Sequence, residues 1–459
     1  MKWIADSVEQ NTGQKDTLIF NAHLVDAEGE KTGTAILCSG GKIASLPTGE
    51  QLDELLADEG VAKFDAGGRV LMPSFVDLHA HFRDPGFSQK EDIASGCRAA
   101  VSGGYSTCVL MANTHPVISS QSAALANNCK AEKLGLCRVI QAVSITRGFD
   151  GATISHLEEL EARVCPLISE DGHDVASPAV MLDAMKTAAK RGLVVACHCE
   201  DEALAKQAGE SRKRALALLS WEDSPSRREE AAALLQQANS LLARAEDEAT
   251  VRNLRLAREA GCRIHLCHVS TKASLDAALQ AKRNGTRVSL EVTPHHLFLS
   301  TQDAANIFKI VNPPVRGECD RQALVGALLN GDADCIATDH APHTHEDKRE
   351  GSPGFSALEC AFAASYTMLV RQNAMSLASL SALMSLNPAR ILHLGGVGLL
   401  KEGYEANLVV ADTTQEWTVK GEEFYSKGKA SAFEGMRLFG VVQATFFRGN
   451  LVFSRNGAH

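Results

Sequence analysis

No apolar run in this chain approaches the roughly 18 residues that a membrane-spanning helix requires. The opening residues, Met1-Lys2-Trp3-Ile4-Ala5-Asp6, lack the apolar core of a secretion signal. Basic residues are the minority, 46 Lys and Arg against 56 Asp and Glu, for a formal charge of −10. A phosphate backbone seeks a basic surface, so this balance gives no reason to expect nucleic-acid binding. It leaves room for a local cationic pocket that takes an anionic small molecule. The 13 cysteines have no framework spacing and their number is odd, so free thiols in a reducing compartment are expected. Internal repeats and low-complexity tracts are also missing. The expectation is a cytoplasmic globular protein with a small-molecule substrate, no nucleic acid and no membrane.

What is present centres on Val76-Asp77-Leu78-His79-Ala80-His81-Phe82-Arg83-Asp84-Pro85-Gly86. Side chains alternate along a strand, so Asp77, His79 and His81 share one face. Two imidazoles two residues apart can grip one metal ion from the same side. A lone His-x-His is more often a packed pair than a metal site, and its weight comes from the segments downstream. From Val70 onward, apolar strand candidates near 71–79, 105–111, 137–144, 164–169, 193–198, 263–268, 287–293 and 334–338 alternate with Ala- and Leu-rich helical stretches. Eight strand–helix units predict an α/β fold, a (β/α)8 TIM-type barrel. Short strands before residue 69 and after 395 predict a small β domain formed by both chain ends. The expected division is 1–69 and 395–459 for that domain and 70–394 for the barrel. Residues 1–15 are expected to be frayed. The charged, Ala- and Leu-rich stretch 205–260 reads as a helical excursion, with Ser226-Arg227-Arg228-Glu229 at capping-box spacing.

In such a barrel the active site lies at the C-terminal strand ends. His79 and His81 end the first predicted strand, Asp171 follows the fourth, His198 ends the fifth, His268 the sixth and Asp339 the eighth. Four imidazoles and two carboxylates suit Zn²⁺ or a similar borderline divalent ion, and they suffice for two ions bridged by a carboxylate. Cys197 and Cys199 flank His198 on the opposite face and read as packing residues. His295 and His296 end the seventh strand and fit a role orienting ligands. His265, like His23, His156, His173 and His393, has no assigned role. The polar loop 344–354 reads either as a cover for bound substrate or as an idle surface loop.

With these pieces in place, the chain resembles dihydroorotases of the bacterial class I type, within the amidohydrolase superfamily. The resemblance runs from about residue 17 to 455. It rests on His79-Ala80-His81-Phe82-Arg83-Asp84-Pro85-Gly86, Ala112-Asn113-Thr114, Ser169-Glu170-Asp171-Gly172, His268-Val269-Ser270-Thr271-Lys272, Val311-Asn312-Pro313-Pro314-Val315-Arg316 and Ala337-Thr338-Asp339-His340-Ala341-Pro342-His343. It implies that His79, His81 and Asp339 hold one Zn²⁺, that Asp171 bridges, and that His198 and His268 hold a second. Hydantoinase-type relatives bridge with a carboxylated Lys, and no Lys occurs in 163–175. The resemblance also implies that Arg83, Asn113 and His343 bind a substrate carboxylate, that Asn312 faces the pyrimidine ring, and that Asp339 moves the catalytic proton. The implied activity is the interconversion of (S)-dihydroorotate and N-carbamoyl-L-aspartate in pyrimidine biosynthesis. The alternatives are a related cyclic amidase (hydantoinase or allantoinase) and a non-catalytic structural partner of an aspartate transcarbamoylase. A homo-oligomer is expected, with aspartate transcarbamoylase as a candidate partner. Two positions depart from the family: Glu170 stands where Asp is usual, and Ala357 where Gly is frequent.

Overall fold

Eight parallel strands close into a ring in the computed structural model, which describes residues 3–4, 15–219, 224–302 and 309–455. They are β1 (Phe75–Ala80), β2 (Tyr105–Leu110), β3 (Arg138–Gln141), β4 (Leu167–Ser169), β5 (Val194–Cys197), β6 (Arg263–Leu266), β7 (Arg287–Val292) and β8 (Cys335–Ile336). Parallel pairing joins β1 to β2 to β3 and runs without a break from β4 to β8. Two bridges seal the ring: Val143 with Ile168, and Ala80 with His340. The strands are short and buried almost throughout, as a parallel sheet covered by helices demands. The helix Pro178–Arg191 shows how the connections are fixed. Ser177 caps it by accepting from Val180 N–H, Pro178 begins it, and Gly192 ends it in the left-handed region at φ 72°.

The run predicted as one strand at 71–79 divides at Ser74. Val70–Pro73 pairs with Leu408–Ala411 and with His23 and Leu24, in a different sheet from β1. The two halves read as one strand because burial is continuous across the division: every residue of 70–73 and of 75–80 is buried, and so is Ser74. That sheet has seven strands, drawn from both chain ends. A four-stranded sheet of 17–20, 36–39, 42–45 and 62–65 packs against it. Leu18 is among the largest fully buried side chains, and Ile19, Leu24, Ile36, Leu408, Val410 and Phe446 form the layer between the sheets. The barrel and the small β domain built from both ends therefore match the sequence reading. Of the frayed stretch expected at 1–15, only Trp3–Ile4 and residue 15 fall among the described residues; Trp3–Ile4 pairs with Phe453 and Ser454.

The excursion after β5 is a pair of helices, Glu202–Leu219 and Pro225–Ala260. They close on small residues, Ala208 against Ala238 and Leu242, and Ala215 against Ala231 and Leu235. The longer helix is capped by Ser224, not by Ser226: Pro225 has no N–H to offer and takes the first helical position. Its foot is tied to the barrel by a buried ion pair, Glu246 with Arg316 at 3.1 Å. Glu246 also accepts from the Ser270 and Thr271 N–H groups beyond β6.

Candidate metal centre and substrate cavity

At the C-terminal strand ends, six side chains from five strands meet. His79 and His81 leave β1, Asp171 follows β4, His198 follows β5, His268 follows β6 and Asp339 follows β8. All six are buried. Asp171 belongs to two groups of potential metal donors, one with His79 and His81 and one with His198 and His268. Its Oδ1 lies 3.3 Å from His79 Nε2, 3.5 Å from His198 Nδ1 and 3.7 Å from His268 Nε2. Its Oδ2 is 3.6 Å from His81 Nε2. Asp339 Oδ1 stands 3.3 Å from His81 Nε2 and 3.7 Å from His79 Nε2.

Hydrogen bonding from behind sets which atoms face inward. His79 Nδ1–H donates to Glu291 Oε1 at 2.9 Å, and His81 Nδ1–H donates to Asn113 Oδ1 at 3.0 Å. Both rings therefore turn an Nε2 lone pair toward carboxylate oxygens. Lone pairs facing one another at these distances need a cation between them. His79 Nε2 and Asp171 Oδ1 are buried and without a hydrogen-bond partner. A borderline divalent ion fits these unpartnered donors and this mixture of imidazole and carboxylate. The charges agree. Burial works against the charge of Asp171, yet the surrounding imidazoles hold its pKa well below the usual range. Asp339 is held low in the same way, chiefly by His81 and His79 against burial. His198 is pushed up to about 10 against its own burial, by Asp171 and Glu200. Carboxylates this well ionised call for positive charge, from protons or from a metal.

Backbone strain marks the same rim. Arg83 (φ 59°), His268 (φ 34°) and Asp339 (φ 48°) occupy the left-handed region, which costs a non-glycine residue about 1–3 kcal/mol and persists where its surroundings fix it. Asp77, one layer below His79, holds the β8 exit by accepting from Thr338 N–H at 2.9 Å and Thr338 Oγ1–H at 2.6 Å. His81 N–H donates to His340 O at 2.8 Å. Glu170, the departure from the family pattern, accepts from Thr146 N–H at 2.9 Å and so anchors the loop that bears Asp171.

A cavity of about 220 Å³ opens above the donors. It is lined by His81, Arg83, Asn113, Asp171, His198, His268, Asn312, Asp339 and His343, together with Gly172, Ala341, Pro353 and Gly354. Every predicted site residue lines it except His79, which lies fully buried beneath. Asn113 has both ends of its amide engaged, since Nδ2–H donates to Asp171 Oδ2 at 3.1 Å. Asn312 Nδ2–H donates to Glu200 at 2.8 Å, whereas Oδ1 is buried without a partner. His343 Nε2–H donates to Pro353 O at 2.8 Å, and its Nδ1 faces Lys90 Nζ at 3.4 Å. Burial and the charges of Arg83, Lys90 and Lys348 push His343 down to about 3, so it is neutral at pH 7. The loop 344–354 thus reaches the cavity through Pro353 and Gly354. At Gly354 (φ 125°) a Cβ would sit 2.7 Å from both Cβ and O of Ala341, so only glycine closes this wall. Ala357 does not line the cavity; its N–H donates to His340 Nδ1 at 3.0 Å.

The sequence profile described as "Amidohydrolase family" matches residues 70–452. The chain belongs to the amidohydrolase family. A dihydroorotase of Clostridium botulinum is 37% identical over 441 residues, covering 96% of this chain and 100% of the relative. A dihydroorotase of Sulfurihydrogenibium is 35% identical over 444 residues, covering 95% and 99%. Among solved structures, an L-hydantoinase from Arthrobacter aurescens superposes with a TM-score of 0.83 at 24% identity, covering 97% of this chain and 98% of the other. At that identity the match speaks for the fold alone.

Two residues of this amidohydrolase's site escaped sequence reasoning. Glu291 on β7 is fully buried, and its oxygens accept from His79, from His265 Nε2–H at 2.9 Å and from the His268 N–H at 3.1 Å. Despite burial, His265 and His79 hold it down to about 2. His265, in turn, contacts Ser289 Oγ through Nδ1 at 2.8 Å. The available signal was an acid, Glu291, between the apolar Leu290 and Val292 of a strand. A larger cleft, about 590 Å³, lies at the opposite end of the barrel and holds none of these donors. Its charges have local work: Arg138 pairs with Glu405 at 2.7 Å, and Arg263 donates to Gly192 O, where a helix ends. The chemistry belongs to the smaller cavity.

Proposed function

We propose that this amidohydrolase acts as a dihydroorotase, interconverting (S)-dihydroorotate and N-carbamoyl-L-aspartate, with Zn²⁺ at the His and Asp cluster. The observation that carries the reading is the Arg83 guanidinium in the wall of the cavity that the metal donors floor. A guanidinium fork matches a carboxylate and stays charged at working pH. The substrate is a cyclic amide bearing one carboxylate, and the full-length relatives named dihydroorotase support the same choice.

His79, His81 and Asp339 would hold one ion, His198 and His268 the other, with Asp171 shared. Bound there, the metal would supply Lewis acidity and bring the pKa of water toward about 7. The chain supplies the rest. Arg83 pairs with the substrate carboxylate, and neutral His343 beside it adds no competing charge. Asn312 Oδ1, buried and unpartnered, accepts from a ring N–H. Asn113 steadies His81 and Asp171 and keeps a second N–H and lone pair for the substrate. Asp339, ionised and at the cavity floor, takes the proton of the attacking water and returns it to the leaving ring nitrogen. A purely structural partner of another enzyme has no need of six converging donors.

The test is steady-state turnover of zinc-loaded protein with dihydroorotate, N-carbamoyl-L-aspartate, hydantoin and allantoin. Turnover in both directions is expected for the first two, with much slower ring opening of hydantoin and allantoin, which lack the carboxylate. Preference for hydantoin would overturn the assignment.

A further inference from the structure

Lys348 sits in the short helix His345–Arg349 of the loop after β8. Its half-buried side chain aims Nζ at three backbone carbonyls: Ile310 at 3.1 Å, Ser352 at 2.7 Å and Gly354 at 2.9 Å. An ammonium has three N–H donors, and all three are used. Nζ also lies 4.2 Å from the centre of the Phe355 ring. No carboxylate pairs with it among the described residues, and the charge acting on it is that of Arg212. Burial, then Arg212, pushes Lys348 down to about 8. A solvated surface lysine has no reason to accept such a setting.

The carbonyls belong to two separate loops. Ile310 lies two residues before Asn312, on the loop after β7. Ser352 and Gly354 flank Pro353, on the loop after β8, and Pro353 O receives the His343 N–H. The next carbonyl toward Asn312, that of Val311, accepts from Arg212 of the helix Glu202–Leu219 at 3.2 Å. Gly354 N–H closes the junction by donating to Ile310 O at 3.2 Å. Leu216 of the same helix presses on Gly351, where an added Cβ would lie 2.1 Å from Leu216 Cδ1. The helical excursion thus braces both loops from outside.

We propose that Lys348, with Arg212 behind it, is a positioning residue that staples the loop presenting Asn312 to the Pro353–Gly354 wall and so sets the width of the substrate cavity. This rests on the dihydroorotase reading for its kinetic consequence, but not for the staple itself. The substitution Lys348→Met keeps the stem over Phe355 and removes the three donors. In the zinc-loaded protein, faster amide hydrogen exchange is expected at 309–316 and 351–355, with metal content unchanged. KM for dihydroorotate should rise about tenfold, as when one charged hydrogen bond to substrate is lost. Asn312→Ala should then cost less in the Lys348→Met background than in the wild type, because Asn312 is already misplaced. A merely structural lysine would lower the melting temperature but leave KM and the Asn312 penalty alone, and that result overturns the proposal. So does unchanged exchange at both segments. If Lys348→Met fails to fold, Arg212→Met carries the same three readouts, with exchange rising at 309–316 alone. A wild type that folds, binds zinc and ignores dihydroorotate overturns the functional reading instead, while the exchange result still decides the staple.

Discussion

Replacing Arg83 by Met should separate function from stability. The side chain lines the cavity and makes no ion pair among the described residues. Its contacts are Nε–H to Pro342 O at 3.4 Å and an approach to His343 at 3.3 Å. Burial holds its pKa below the ordinary value, even with the carboxylates Asp339 and Asp171 nearby. The folded chain gains little from this charge. A bound carboxylate would engage two N–H groups at once, each worth about 1.5–3 kcal/mol as a charge-assisted hydrogen bond. Two such bonds amount to about 3–6 kcal/mol, or roughly 10²- to 10⁴-fold in kcat/KM at 1.4 kcal/mol per decade. Steady-state ring opening should show that loss, carried mainly by KM. Zinc content should be unchanged and the melting temperature equal to or above that of the wild type. An unchanged kcat/KM would refute the carboxylate-binding role. A loss of activity together with zinc would show that Arg83 acts through the metal donors.

Three further outcomes follow from the same geometry. Glu291→Gln removes the charge behind His79 and His265, and chelator competition should report metal binding weaker by about 10- to 100-fold; unaltered affinity would remove Glu291 from the account. Asp339→Asn should lower kcat by about 10²- to 10⁴-fold in both reaction directions, and a variant turning over at the wild-type rate would dismiss Asp339 as the proton carrier. Burial holds His295 down to about 4, below the roughly 6.5 of an unfolded histidine. The unfolded chain then takes up its proton first, so this stabilisation is complete above about 6.5 and is lost progressively as the pH falls from there to about 4. Urea unfolding at pH 7.5 and 5 should show a smaller acid loss for His295→Leu than for the wild type, and equal losses would contradict the assignment.

The parts of the site legible in the sequence were those whose chemistry lies at a strand end. His79 and His81 were visible because period-two alternation puts both on one face, and Asp171, His198, His268 and Asp339 because each closes an apolar run. Connections made through the third dimension were not. Nothing near Glu291 in sequence reveals that His79, more than 200 residues away, needs a carboxylate behind it. Asn113 was carried over for its place in a motif, and only coordinates show it spanning His81 and Asp171. The division at Ser74 was hidden because a strand of the small domain runs directly into β1, with only Pro73 and the buried Ser74 to mark the break. The excursion after β5 was legible as helix but not as a brace, since Arg212 and Leu216 meet loops that lie about 100 residues or more further along the chain.

The central claim is that imidazoles and carboxylates from five strands share divalent ions at one cavity floor. A chelator titration of purified protein, with zinc content and ring-opening rate measured on the same samples, tests it most directly. Rate and zinc should fall together and return together when zinc is restored, with Asp171→Ala unable to recover either. A folded, zinc-free sample that opens dihydroorotate at the full rate would contradict the account.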